Sequence, residues 1–104
     1  MRKNFRSYLL AVEFYRAAKT LPLPTHLKDQ LNRAASSIVL NLAEGSGRRT
    51  KPDQRKFFHI AFGSLRECQA ILDLSFGVSD QLTESADVLA AHIYRLIQAV
   101  DKAT

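Results

Sequence analysis

Chain-breaking residues are scarce in this sequence, and where they fall decides what it can become. There are four glycines and three prolines among 104 residues. Apart from Gly63 they gather at three places: Pro22 and Pro24, then Gly45, Gly47 and Pro52, then Gly77. An all-β chain needs a turn signal every ten residues or so, so the long uninterrupted stretches between these places favour helices. Within each stretch apolar residues return at spacings of three and four, the helical period.

The first helix is expected over Phe5 to Thr20. It is apolar on two sides, with Leu10, Phe14, Ala17 and Leu21 on one and Phe5, Tyr8, Leu9, Val12 and Tyr15 on the other. A helix apolar on both sides is buried on both sides, and in so small a chain the second partner is expected to be another subunit. Pro22 and Pro24 stop it, because proline disfavours helical geometry in the preceding residue and donates no helical hydrogen bond. Pro24 then suits the first turn of a second helix reaching Glu44. Leu27, Leu31, Ala34, Ala35, Ile38 and Leu42 form its core stripe, while Asn32, Ser36, Val39, Leu40 and Ala43 offer a second packing face. Between the two faces Gln30, Arg33, Ser37, Asn41 and Glu44 align as a polar seam that must bond to neighbouring helices wherever it is buried.

Gly45 suits the left-handed position that commonly closes a helix. The basic loop Gly45-Ser-Gly-Arg-Arg-Thr-Lys follows, and Thr50, Pro52 and Asp53 read as the cap and first turn of a third helix, Lys51 to Phe76. The loop lacks the strand before it and the glycine spacing of a nucleotide-binding P-loop. Helix-start amides beside Arg48, Arg49 and Lys51 would suit a phosphate oxygen; a solvated surface loop is the alternative.

On the third helix Phe57, Ile60, Ala61, Ser64, Leu65, Cys68, Ile71 and Leu72 make a core stripe. Arg55, His59, Phe62 and Arg66 form a line able to follow a phosphate backbone and stack a base, while Phe58, Phe62 and Phe76 suggest a protein interface along one flank. Glu67 reads as a buried carboxylate compensated by Arg33 or Asn41. Gly77 to Leu82 is a turn and Thr83 a cap for the last helix, whose core stripe is Ala86, Leu89, Ala90, Ile93, Leu96, Ile97 and Val100. Four helices joined by short loops pack most simply as an antiparallel up-down-up-down four-helix bundle, one domain over residues 1–104.

Charge divides this chain more sharply than its net +5 implies. Residues 1–66 hold 13 Lys/Arg against 4 acids, or +9; residues 67–104 hold 2 against 6, or −4. The opposition suggests a polyanion-binding surface on the basic half, or pairing between halves or subunits. One cysteine, Cys68, makes no intramolecular disulfide, and without a leader-like start or a long uncharged run the expectation is a cytoplasmic protein with no membrane span. His26, His59 and His92 fall on three helices with no zinc-like spacing to Cys68, so no metal or cofactor is expected. Ser64, Glu67 and Cys68 lack a base and an orienting partner; an acid and base role for Glu67 and Glu44 has no recognised geometry. No catalytic residue is assigned.

The residues Gln30-Leu31, Arg33-Ala34-Ala35, Ser37-Ile38, Asn41, Ala43-Glu44-Gly45 and Arg48, followed by Ile60-Ala61, Gly63-Ser64-Leu65 and Glu67, carry a resemblance. The chain resembles the four-helix bundle family encoded in intervening sequences of bacterial large-subunit ribosomal RNA genes, with Val39 where members often have proline and Leu42 where isoleucine is common. The resemblance implies a cytoplasmic bundle assembled into a ring-like homopentamer with a basic surface. It also implies kinship with the accessory proteins of diversity-generating retroelements, which bind nucleic acid and associate with a reverse transcriptase. It supplies no catalytic residue. The combined expectation is a non-enzymatic oligomer that contacts RNA or DNA through Arg48, Arg49, Lys51, Arg55 and Arg66. Its polar seam is Arg33, Ser37, Asn41, Glu44 and Glu67, and its oligomer interface includes Val39, Leu40, Phe58 and Phe62. The alternative is a protein-interaction scaffold that recruits a nucleic-acid enzyme.

Overall fold

Each helix begins and ends where local chemistry requires. A computed structural model describes residues 5–102, the side chain of Phe5 excepted, so the expected place of Phe5 on the second face of the first helix lies outside the described residues. The elements are α1 (Phe5–Lys19), α2 (Thr25–Ser46), α3 (Lys51–Leu74) and α4 (Asp80–Lys102). After α1 the amides of Thr20 and Leu21 donate to the carbonyls of Ala17 and Ala18, a tightened last turn ahead of Pro22. Pro24 is the residue preceding α2 rather than part of its first turn. Thr50 caps α3 by accepting the Asp53 amide at 3.3 Å, with Pro52 in the first turn as its sequence predicts.

Three expected boundaries move, the first being the end of α3, which stops at Leu74 rather than Phe76. Ser79, not Thr83, caps α4: its hydroxyl accepts the Leu82 amide at 3.1 Å, and Asp80 in the first turn complements the helix dipole. Gly77, at φ 75°, makes the left-handed turn before it. Gly45 does not terminate α2. The helix runs on through Ser46 and closes at Gly47, whose φ of −88° is not left-handed.

Gly45 is there for space. A Cβ at this position would lie 2.6 Å from Cε1 of Phe58 and 3.1 Å from Cβ of Phe57, so the last turn of α2 presses directly on α3. Phe58 has 0% exposure and fills the interior against that turn. It was expected at an oligomer interface. Phe57 and Phe58 are adjacent, about 100° apart around the helix, and only one can enter the core; the slot left by Gly45 receives Phe58. The buried stripe of α3 is therefore Phe58, Ala61, Leu65, Cys68, Ile71 and Leu72, with Phe57 half-buried and Ile60 exposed.

The rest of the core comes from all four helices. Phe14, Leu31, Ile38, Leu42, Leu65, Leu89 and Ile93 are fully buried beside Phe58 and Cys68. Each helix packs on two others, α1 on α2 and α4, and α3 on α2 and α4, so the four close a cycle around one core and form a four-helix bundle. The buried face of α1 is Ser7, Ala11, Phe14 and Ala18; Leu10 is only half-buried and Ala17 is exposed, which rotates the expected face by part of a turn. The core stripes of α2 and α4 lie as predicted, with Leu27 and Leu96 at their half-buried margins.

Two measurements follow from this packing. Gly45→Ala should destabilise by about 1–3 kcal/mol, the usual cost of overpacking. Gly63→Ala, where an added Cβ meets nothing within 4 Å in the middle of α3, should stabilise by roughly 0.5–1 kcal/mol; urea unfolding of both variants checks the opposed signs. Cys68 has 0% exposure, and burial, aided by the charge of Glu67, pushes its thiol up from 9.0 to about 12. The folded chain thus holds the thiol proton more tightly than the unfolded chain. That contribution is complete below pH 9 and is lost as the pH rises from 9 towards 12. Between those values the unfolding free energy of the wild type should fall more steeply with pH than that of Cys68→Ala, by up to about 1.4 kcal/mol per pH unit.

Candidate nucleic-acid interface

The turn between α2 and α3 is short and heavily basic. Gly47 donates its amide to the carbonyls of Ala43 and Glu44, and Arg48 donates to that of Gly45, so the chain leaves α2 in a fixed direction. Gln54 then ties the turn to α3, its side-chain amide donating to the Arg48 carbonyl at 3.2 Å while its oxygen accepts from Lys51 Nζ at 3.4 Å. Arg48, Arg49, Lys51, Arg55 and Lys56 occupy nine residues that contain a single acid, Asp53.

These cations differ in how far they are committed. Arg48 pairs with Glu44 one turn back at 3.0 Å and lays its guanidinium 4.7 Å from the centroid of the Phe57 ring. Lys56 stands 5.6 Å from the same ring. Arg49 is exposed and makes no hydrogen bond or ion pair among the described residues. Arg55 is bound to Asp101 of α4, Nε to Oδ1 at 2.6 Å. Half-exposed pairs such as these add little stability, but they place a carboxylate beside the cation. Two helix-start amides are taken, that of Asp53 by the Thr50 hydroxyl and that of Gln54 by the Thr50 carbonyl, and Pro52 has none.

Arg66 stands apart. It lies eleven residues beyond Arg55 on one helix, about 16 Å along the axis. Its Nη1 donates to Gln69 at 2.8 Å, Gln69 donates to Asp87 of α4 at 3.0 Å, and its guanidinium covers Phe62 at 4.8 Å. Phe62 in turn packs on Tyr94, ring centroids 6.4 Å apart. Arg66 braces Gln69 and Phe62, the two α3 side chains that reach Asp87 and Tyr94 of α4. Of the five expected phosphate contacts, the structure gathers Arg48, Arg49 and Lys51 at the turn, holds Arg55 to α4 and separates Arg66. Lys56 and Phe57 join the group without having been singled out; a lysine directly before an aromatic in a basic run was the available signal.

The polar seam is shorter than its spacing suggests. The hydroxyls of Ser37 and Ser64 share a hydrogen bond of 2.8 Å between α2 and α3, and Asn41 donates to the carbonyl and hydroxyl of Ser37 at 2.8 and 3.0 Å. Arg33 and Glu44 are exposed at the ends of this line. Glu67 is exposed too, which overturns its expected burial. The cause is the rotation of α3 that brings Phe58 inward, because it turns Glu67 outward with Ile60 (42% exposed) and Leu74 (69%). Val39 and Leu40 lie on the outer side of α2, where with Val12, Tyr15, Arg16 and Ser36 they line an apolar groove of about 260 Å³.

The remaining chemistry-bearing side chains are dispersed. Ser64 is engaged with Ser37, and Cys68 is a buried, protonated thiol. His26 and His59 are exposed on α2 and α3, while His92 Nδ1 bonds the Val88 carbonyl at 2.9 Å. Among the described residues no group of three or more His, Cys, Asp or Glu is placed to hold a metal ion, and no helix is long and apolar enough to cross a membrane.

No curated protein matches this chain. A family model described as 23S rRNA-intervening sequence protein matches residues 5–99, from the first residue of α1 to the last turn of α4. The match takes in the Ser37–Asn41–Ser64 seam, the Gly45 contact and the basic turn alike, and by it the chain belongs to the 23S rRNA-intervening sequence protein family.

Proposed function

We propose that this protein works without catalysis, as an oligomeric cytoplasmic bundle that binds RNA or DNA through the turn between α2 and α3. The observation that carries the reading is the concentration of Arg48, Arg49, Lys51 and Lys56 at one end of the bundle, where only Arg48 has a carboxylate partner among the described residues. An up-down-up-down course supports that geometry. Gly45 at the end of α2 meets Phe58 near the start of α3, and Arg55 near the start of α3 meets Asp101 at the end of α4, as antiparallel neighbours would. Phe57, flanked by Arg48 and Lys56, adds an aromatic surface beside the cations. A ring-like homopentamer, which the family resemblance implies, would repeat the patch and convert weak single contacts into multivalent binding.

The test is the salt dependence of binding to a structured RNA, followed by fluorescence anisotropy. Each phosphate contact contributes about 0.7–0.9 to the slope of log affinity against log salt. Neutralising Arg48, Arg49 and Lys51 together should therefore reduce the slope by about two. Arg49→Ala should cost more affinity than Arg55→Ala, because Asp101 already stands against Arg55. Binding that is insensitive to salt and to the triple variant would refute the reading.

A second reading, a scaffold for a protein partner such as a nucleic-acid enzyme, is favoured by Leu74 and Phe76, which are 69% and 96% exposed around the turn between α3 and α4. On that reading one stoichiometric protein should remain attached after nuclease treatment of material isolated from the host. Phe76→Ser should release it while leaving RNA affinity unchanged.

A further inference from the structure

Two outer faces of the bundle carry opposite charge around exposed apolar side chains. The first is the groove between α1 and α2. Val12, Tyr15, Val39 and Leu40 supply its apolar surface, with Leu40 65% exposed. Its charged surroundings are Arg16 on the groove wall, Lys19 at 5.7 Å from the Tyr15 ring, and exposed Arg33 on α2, against Asp29 and against Glu44, which is itself paired with Arg48. The second face is the outward stripe of α4. Asp80, Glu84 and Asp87 precede any Lys or Arg on this helix, and Val88 (39% exposed), Ala91 and Tyr94 (55%) lie among and just beyond them, before Arg95. Exposed apolar side chains rimmed by charge mark contact surfaces, and complementary charge selects which surface meets which.

We infer that the basic groove between α1 and α2 of one copy receives the acidic stripe of α4 from a second copy. This rests on the oligomeric reading above and names the surfaces that perform it. The two faces belong to different sides of one chain, since α4 packs on α1 and α3 and makes no extensive contact with α2. The contact is therefore heterologous: each copy offers a groove to one neighbour and a stripe to another, and repetition closes a ring or extends a fibre. Neither face is self-complementary, because a groove against a groove sets Arg16 and Lys19 against their own copies. It also moves the interface away from Phe58, which is inside the core, and gives a place to the opposed charges of the two halves of the chain.

The experiment uses two damaged copies. Leu40→Asp spoils the groove, and Glu84→Lys with Ala91→Arg spoils the stripe; all three positions are exposed, and circular dichroism should report unchanged helix content for both variants. Light scattering at micromolar concentration should find the wild type as a closed multiple of the chain mass and each variant alone as a monomer. Mixed in equal amounts, they should form a species of two chains and nothing larger, because one intact groove and one intact stripe remain between them. If the variants assemble like the wild type, or if their mixture stays monomeric, these faces do not meet and the inference fails, while the oligomeric reading stands or falls on the mass of the wild type alone. A monomeric wild type overturns the oligomeric reading itself. A Leu40→Asp variant that loses RNA affinity with no change in mass assigns the groove to nucleic acid and also overturns the inference.

Discussion

Much of this bundle depends on one contact, the seating of Phe58 against the last turn of α2 at Gly45. A helix pair normally keeps its axes 8–10 Å apart because side chains stand between them. At Gly45 α2 contributes no side chain, and the ring of Phe58 occupies the room that a Cβ would need. The consequences spread along α3. With Phe58 inward, Ala61, Leu65, Cys68 and Leu72 follow it into the core at helical spacing, while Ile60, Glu67 and Leu74 are carried outward. Ser64 is brought within 2.8 Å of Ser37, where two small hydroxyls satisfy each other and Asn41 supplies a further donor. A single small residue thus sets the rotation of a neighbouring helix 24 residues long.

The same contact shapes the candidate binding surface. Because α2 continues to Ser46 and presses on α3, the turn between them is brief, and its cations cannot fold back over the core. Phe57, excluded from the interior by its neighbour, remains at the surface as a platform for Arg48 and Lys56. Exposed ion pairs contribute little to folding, so Glu44 and Asp101 matter chiefly as electrostatic trim. They lower the field at Arg48 and Arg55, whereas Arg49, Lys51 and Lys56 have no carboxylate against them among the described residues.

The number of helices, their sequence limits to within a few residues, and most of the core could be read from periodicity. Leu31, Ala34, Ala35, Ile38 and Leu42 on α2, and the stripe from Ala86 to Val100 on α4, are legible because in each an unbroken run of apolar residues returns at the helical period. On α3 the pattern is degenerate. Phe57, Phe58, Ile60, Ala61 and Phe62 point to several directions at once, and the choice among them is made by a partner helix distant in sequence. Gly45 is ambiguous for a related reason: a glycine near a helix end fits a left-handed cap and a close helix approach equally well, and only the neighbour decides. Caps show a milder form of this, since Ser79 and Thr83 are both competent and the earlier one prevails where Asp80 supports the first turn. The cations of the α2–α3 turn were legible as a cluster. Their pairing was not, because Asp101 and Asp87 come to Arg55 and to the Gln69 bridge from another helix.

Charge placement then connects the candidate binding end with the proposed assembly. A contact that joins a groove to a stripe repeats by rotation about one axis, and closure gives cyclic symmetry with no twofold axes across it. Equivalent points of every copy then lie at the same height along that axis. The α2–α3 turns would form one basic rim, and the turns bearing Leu74 and Phe76 another rim at their own height. Such a ring separates a polyanion-binding edge from an apolar edge without any chain folding differently from its neighbours. An isologous pairing of the same chains would place a basic end on both sides and lose that distinction. The opposed charges of the two halves, which within one chain are used only sparingly as at Arg55 and Asp101, are on this view divided between two tasks: the acids of α4 hold copies together, and the cations of the turn remain free for what the ring meets.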